Sequence, residues 1–341
     1  MTREQVTDAI WIRPYEDGDE AGTIHCFNQV FADPAHGIPK RTLEHWNWKF
    51  RDNPVGEIHS MLAEHQEHGI IGAYTAIPYR VKFDGAIRIG SQGVDMMVLP
   101  EFRRAGQRPG LFTHIGKRFF EHYCGREEGK CIYHYGWPMG NLRLGQKYLG
   151  YKTIRDWDLT LLELDASSPP RATPNDLTVE EVARFGPDVD ALWNKLEPEI
   201  QLGTIRDARF LNWRYADCPD HSYRLYECRE RQSRTLRGIA VYTVRDFMRP
   251  NTGFIADWLN EGNDVDAMIA MLSTLEEQAK QDQVSILASV WNHVDIRFVH
   301  IQHAGYLVKG TPYFITATML QHTEHFYRAN WYLTIGDSDL I

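Results

Sequence analysis

A nine-residue string near the front of the chain returns, altered but in the same order, 165 residues later: WNWKFRDNP spans Trp46 to Pro54, and LNWRYADCP spans Leu211 to Pro219. Asn, Trp, a base, an aromatic, Asp and Pro keep their sequence in both. Each copy is followed by two extended segments, EIHSMLAEHQ and GIIGAYTAIPYRVKF in the first and HSYRLYECRE and TLRGIAVYTVRDF in the second. A third extended segment carrying an aspartate comes next, GVDMMVL or FIADWLN, and then a stretch with apolar residues three and four apart, GLFTHIGKRFFEHY or VDAMIAMLSTLEEQAK, which predicts a helix. A short apolar strand, KCIYHYGW or VSILASVW, leads to a second helix that stops at Gly150-Tyr151 or Gly305-Tyr306. The pattern predicts one α/β unit written twice: residues 1–165, a linker over 166–176 within the Pro- and Ser-rich DASSPPRATPND, and residues 177–341. Two unrelated domains sharing only a tryptophan-rich helix would not repeat the order of the later elements.

Two units also suit the length, because 341 residues exceed what one hydrophobic core normally organises. With 43% hydrophobic and 24% charged residues the chain can bury a proper core. A formal charge of -9 argues against a general nucleic-acid binder and favours neutral or cationic partners. Five cysteines, Cys26, Cys124, Cys131, Cys218 and Cys228, lack the close spacing of a zinc site or a secreted disulfide framework, which points to a reducing cytoplasm. The N-terminal residues have no apolar core of signal-peptide length, and nowhere do about 18 uncharged apolar residues run together. The expectation is a cytoplasmic protein that neither binds nucleic acid nor crosses a membrane.

The sequence LPEFRRAGQRPG, Leu99 to Gly110, lies where the third extended segment hands over to a helix. Helix N-termini expose backbone N–H groups without intrahelical partners, and the helix dipole adds partial positive charge there. Gly106 and Gly110 permit close backbone approach, Pro109 suits a first helical position, and Arg103, Arg104 and Arg108 add cationic donors. Such a turn can grip a diphosphate. It can equally be a tight turn capped by solvated arginines, and these residues alone leave both readings open.

The order of elements, together with VLPEFRRAG, resembles the GNAT acyltransferase superfamily. That family's strand exit has a valine, a proline two residues on, and Arg-x-x-Gly-x-Gly/Ala; Val98, Pro100, Arg103 and Gly106 match it, while Arg108 stands where Gly or Ala is usual. The resemblance implies an α/β (α+β) fold with two tandem GNAT-like domains, each a mixed, mostly antiparallel sheet flanked by helices. It implies acetyl-CoA as co-substrate, its pantetheine against the backbone of Met97, Val98 and Leu99 and its pyrophosphate against Arg103, Arg104, Ala105, Gly106, Gln107, Arg108 and Gly110. Asn141, at the start of the second helix, can hydrogen-bond pantetheine or act as an N-cap. In the second half the matching turn, DWLNEGNDVDAM, is acidic and would repel phosphate, so that domain is expected to be structural or to help hold the acceptor.

Transfer of an acyl group from a thioester to an amine needs proximity, a polarised carbonyl and a neutral amine. Asp95, on the same strand face as Met97, is the candidate base; the alternative is a hydrogen-bonded structural aspartate, which the recurrence of Asp257 in the second copy favours. The family's usual acid is a tyrosine on the second helix, a place held here by Gln146, so Tyr148 is the candidate substitute or a half-buried packing residue. The histidine pairs His65/His68 and His300/His303 lack a third ligand, so no metal is expected. Trp46, Trp48 and Trp213 are expected in the core, and Asp337 and Asp339 in an exposed acidic tail. No serine-hydrolase elbow or nucleotide P-loop occurs. The expected function is acetylation of a small-molecule amine such as an amino sugar or polyamine. The alternatives are a non-catalytic acyl-CoA-binding or scaffold module and an aminoacyl-transferase, whose charged-tRNA partner the acidic balance disfavours.

Overall fold

A computed structural model of the protein describes residues 3–33, 38–104, 109–138 and 140–339. The front half contains β1 (Glu4–Thr7), β2 (Ile10–Pro14), α1 (Glu20–Val30), α2 (Leu43–Trp46), β3 (His59–His65), β4 (Gly69–Phe83), β5 (Ala86–Val98), α3 (Leu111–Tyr123), β6 (Cys131–Gly136), α4 (Leu142–Tyr148), β7 (Lys152–Asp156) and β8 (Leu159–Glu163). The back half contains β9 (Leu177–Val182), α5 (Asp188–Leu196), β10 (Leu202–Thr204), α6 (Ala208–Leu211), β11 (Arg224–Glu230), β12 (Leu236–Phe247), β13 (Arg249–Asn260), α7 (Val265–Gln281), β14 (Ile286–Ser289), α8 (Ile296–His303), β15 (Leu307–Lys309), β16 (Phe314–Met319) and α9 (Glu324–Asn330).

The repeated string folds identically in both places. Thr42 and Asp207 accept the N3 amides of α2 and α6. Each helix then widens into a turn closed by an i→i+5 bond, Asp52 N–H to Asn47 O and Asp217 N–H to Asn212 O, both at 2.9 Å. Trp46 and Trp213 are buried, as expected, and Trp48 is half-buried.

By compactness the chain forms two units: Met1–Arg80, Arg88–Ile154 and Ile315–Glu324 make the first, and Val81–Ile87, Arg155–Phe314 and His325–Ile341 the second. In the first, the strand order is β1-β2-β3-β4-β5-β6-β16-β7, with β5 and β6 parallel. The apolar face of α3, including Leu111, Phe112, Ile115 and Phe119, packs into a core with Met61, Leu62, Tyr74 and Val98. In the second, the order among the described residues is β15-β8-β14-β13-β12-β11-β9, with β13 and β14 parallel and α7 burying Met268, Met271, Leu272 and Leu275. No helix among the described residues is long and apolar enough to cross a membrane.

The division by compactness falls at Ile154/Arg155 and not at residue 165, because the copies trade one strand. β8 belongs to the front copy in sequence yet lies antiparallel to β14, with Leu162 opposite Leu287; β16 belongs to the back copy yet lies antiparallel to β6, with Ala317 opposite Tyr135. Alternating apolar residues specify that a strand follows β7 or β15, but not which sheet it joins.

Asp337 corrects the expectation of an exposed acidic tail: it is 2% exposed, whereas Asp339 is exposed. The Arg206 guanidinium, itself fully buried, donates Nε to Asp257 Oδ1 at 2.7 Å and Nη2 to Asp337 Oδ2 at 2.7 Å and to Thr334 Oγ1 at 2.9 Å. Asp257 also accepts from Tyr215 Oη at 2.8 Å. One cation between two carboxylates satisfies three charges that could not be buried alone. Arg206→Met strands both carboxylates, and urea denaturation should show a loss of about 3–5 kcal/mol; a loss below about 1 kcal/mol, the value of a surface pair, would contradict this picture.

Candidate active site in the first unit

β5 and β6 pair in parallel through Ile89–Cys131, Ser91–His134 and Gln92–Tyr135, where the described ladder ends. Three residues further along β5, Asp95 has φ +48°, a left-handed conformation that an aspartate tolerates better than most residues and that bulges the strand. Its carboxylate pairs with Arg41 Nη1 at 3.1 Å and with Lys49 Nζ at 3.3 Å, and all three side chains are nearly buried. Burial acts most strongly and pushes the Asp95 pKa up, but Arg41 and Lys49 together outweigh it and hold the carboxyl below its usual range. In the second unit Arg206 and Asp257 occupy the positions of Arg41 and Asp95, again at an irregular step, where Asp257 faces Val241 and Ile255 faces Tyr242. The pair therefore ties the start of the repeated helix to the bulge in both copies. A carboxylate so held is ionised but has low affinity for a further proton, which counts against its use as a base.

Beyond the end of the β5–β6 ladder lies a small pocket, lined by Met96, by His134 to Pro138, by Tyr151 and by Thr316 to Thr318. Tyr151 Oη hydrogen-bonds Tyr74 Oη, which is 3.3 Å from His134 Nε2; His134 Nδ1 is 3.0 Å from Ser91 Oγ. Tyr151 Oη also lies 3.8 Å from Met96 Sδ. Burial, with a smaller effect of His59, drives the His134 pKa to about 3, so this imidazole is neutral and both its nitrogens serve as hydrogen-bonding groups. Burial also raises the Tyr74 and Tyr151 phenols, which stay protonated. Gly93 keeps this arrangement possible, since a Cβ there would stand 2.6 Å from His134 Nε2.

The residues expected from sequence divide into three groups. Met97 and Val98 end β5 and Leu99 follows it, with side chains buried in the core, so they meet a ligand only through backbone; the Leu99 N–H is already donated to Ile71 O at 2.9 Å. At the turn, Arg103 donates Nε to Val98 O at 3.2 Å, Arg104 is exposed, and Gly110 starts α3 so close to Arg103 that a Cβ would be 2.6 Å from its carbonyl oxygen. Ala105, Gly106, Gln107 and Arg108 lie outside the described residues. Asn141 occupies the N-cap of α4, but its side chain makes no capping bond. Tyr148 packs against the core beneath Lys117 and Lys147, and Gln146 is exposed.

The His65 and His68 rings lie 4.7 Å apart, tilted at 54°, and both contact Phe102; among the described residues no group of three His, Cys, Asp or Glu side chains is placed to hold a metal. His134, Tyr151, Trp137 and Met96 were not singled out from sequence. The only signal was the alternation in CIYHYGWP, which places His134 and Gly136 on one face.

The same architecture occurs in solved proteins. A protein of Enterococcus faecalis described as a probable N-acyltransferase superimposes with TM-score 0.66 and 14% identity, over 94% of this chain and 75% of that one. The fold is GNAT-like. A GCN5-related N-acetyltransferase from Anabaena variabilis matches with TM-score 0.63 and 12% identity over the same shares, 94% and 75%. Saccharomyces cerevisiae N-myristoyltransferase with bound myristoyl-CoA matches with TM-score 0.58 and 9% identity, over 93% of this chain and 83% of that one. No protein-family model and no curated protein matches the sequence.

Because the Asp95 pKa is depressed on folding, its ion pairs stabilise the protein above the ordinary carboxylate range, near pH 4, and the contribution fades as pH falls through the folded value. Asp95→Asn should therefore cost about 3 kcal/mol at pH 7, leaving Arg41 and Lys49 unneutralised. Urea melts should show the gap between variant and wild type narrowing below pH 4; a gap that widens there would be inconsistent with an ionised, cation-paired Asp95.

Proposed function

We propose that the first unit transfers an acyl group from a coenzyme A thioester to an amine. The observation that carries this reading is a pocket just past the end of the parallel β5–β6 ladder, on a fold whose solved counterparts include acyltransferases. In this proposal the pantetheine lies against the Met97–Val98 backbone, the pyrophosphate meets the start of α3 with Arg103 and Arg104, and Asn141 contacts the arm from α4. The N-terminus of a 13-residue helix and the two guanidinium groups favour a dianionic guest.

The amine attacks the thioester carbon, a C–N bond forms as the C–S bond breaks, and the thiolate must be protonated. Tyr151 lines the pocket with a phenol kept protonated by burial, and its bond to Tyr74 orients it. It is a better-placed donor than Tyr148, which is not part of the pocket lining. With Asp95 bound to two cations, the amine loses its proton to water. Acetyl is proposed as the acyl group, and a small amine such as an amino sugar or polyamine as acceptor; the net charge of -9 suits a cationic one.

The competing reading is an acyl-CoA-binding module without turnover, supported by the paired state of Asp95 and by Gln146 at the family's usual acid position. Titration with acetyl-CoA should raise Tm, by about 2.7 kcal/mol of stabilisation at a hundredfold excess over Kd, and Arg103→Glu should abolish the shift. No shift with acetyl-CoA or longer acyl-CoAs would end the donor assignment. Thiol release against pooled amines separates enzyme from module: Tyr151→Phe should lower kcat by about 100-fold with the Tm shift intact, whereas binding without release in the wild type would favour the module.

A further inference from the structure

A cluster of nucleophilic and basic side chains lies outside the pocket, at the opposite end of β6. Cys131 opens that strand and is fully buried; its Sγ is 3.4 Å from His59 Nδ1, and His59 Nε2 is 2.9 Å from Glu57 Oε2. The Tyr123 ring stacks on His59 at 4.6 Å and 23°, fixing the imidazole plane. Cys124, the C-cap of α3, has an extended backbone and forms a parallel bridge with Cys131. Residues paired in this way point to one face and lie about 4.8 Å apart at Cα, inside the range of about 4.4–6.8 Å that a disulfide spans.

The thiols of Cys124 and Cys131 hydrogen-bond each other, and the Ser91 hydroxyl reaches Cys131 as well. Both cysteines are free thiols here, and Cys124 is partly exposed where Cys131 is not. The charged and titratable groups around the cluster are Glu57, His59, Tyr74, Arg118, His122, Tyr123, Lys130 and His134. Hydrogen bonds from Cys124 first, then from His59, pull the Cys131 thiol well below its ordinary pKa, while Cys124 is pushed up and His59 is raised. The His59 imidazole, backed by Glu57, is thus placed to take the Cys131 proton when the thiol reacts.

We propose that Cys124 and Cys131 are a redox-modification site: Cys131 reacts first with a small hydroperoxide and Cys124 then closes a reversible disulfide. In the first step the Cys131 thiolate attacks the outer oxygen; an S–O bond forms, the O–O bond breaks, and the departing alkoxide or hydroxide takes the proton from His59. In the second, Cys124 sulfur attacks the Cys131 sulfenic acid; the S–S bond forms, the S–O bond breaks, and the hydroxide leaves with the Cys124 proton as water. Two thiols and one hydroperoxide give one disulfide, one alcohol or water, and one water. A dithiol reductant reverses it. The bridge staples the end of α3 to the start of β6, whose other end, His134 to Gly136, lines the pocket. The inference stands on the cluster itself and not on the acyl-transfer reading.

The test treats the full-length reduced protein with hydrogen peroxide at pH 7, blocks free thiols, and maps cysteines by mass spectrometry. A Cys124–Cys131 linked peptide pair, lighter by two hydrogen atoms and restored by dithiothreitol, is the expected result. Cys124→Ser should trap a dimedone-reactive sulfenic acid at Cys131. The wild-type oxidation rate should be nearly flat between pH 6 and 8, where an ordinary thiol gains about tenfold per unit, and His59→Gln should slow it about 30-fold at pH 7. Oxidation of Cys218 with Cys131 still alkylatable, sulfinic acid at Cys131 without a bridge, or a rate rising tenfold per pH unit in the wild type would each overturn the proposal. The pH profile needs no variant, so a His59→Gln protein that fails to fold leaves the test intact.

Discussion

β5 and β6 hold to each other through a short parallel ladder that ends at Gln92 and Tyr135, and the candidate site lies just past that end. Three residues past that end of the ladder comes the bulge at Asp95, a residue in a left-handed conformation that a strand does not adopt unaided. What holds the bulge is electrostatic: Arg41, from the segment leading into α2, and Lys49, from the wide turn after it, converge on the Asp95 carboxylate. Arg41 also lies 4.1 Å above the Phe27 ring, which anchors its planar guanidinium against α1. The repeated WNWKFRDNP string and the residues leading into it thus act at a distance in sequence, by delivering two cations to a strand far along the chain.

The duplicate shows the same Arg–Asp tether in a different setting. In the second unit the same Arg–Asp pair is sealed beneath the last turn of the described chain. Thr334 hydrogen-bonds Arg206 and Asp257, Asp337 neutralises the far side of the guanidinium, and Gly336 fits so closely that a Cβ would collide with Tyr215 Oη and approach Asp257 Oδ2 at 3.0 Å. Phe50 of the first unit stands where Tyr215 stands in the second, so the hydroxyl that caps Asp257 has no counterpart on Asp95, and Lys49 supplies the contact instead. A common electrostatic tether has become a closed structural knot in one copy and the margin of a bulged strand in the other.

Much of the fold was legible because it follows from local periodicity. The extended segment GIIGAYTAIPYRVKF coincides with β4 from Gly69 to Phe83, and the helical spacing of VDAMIAMLSTLEEQAK locates α7 to within a residue. The turn after β5 was legible as punctuation, Pro and Gly before a helix. The site was legible only in part. Asp95 was found as a carboxylate at the right place, but the two cations that reduce its basicity are 54 and 46 residues away in sequence. Tyr151 looked like the end of a helix, and its hydroxyl acquires meaning through Tyr74, on a strand 77 residues earlier. Asp337 looked like tail because hydrophilic terminal residues usually are, and only the buried Arg206 makes its burial favourable.

From residues alone came the duplication, the α/β class of each copy, the strand-to-helix turn with its arginines and the placement of the core tryptophans, since all of these are written in patterns within one element or between two copies of it. Tertiary structure alone decided that β8 and β16 trade sheets, that Asp95 is ion-paired, and that Ser91, His134, Tyr74 and Tyr151 form one hydrogen-bonded chain at the pocket. Periodicity specifies which face of an element is buried, but not which buried neighbour it meets; that choice is made when the sheets assemble and each polar group must find a partner or incur the desolvation cost.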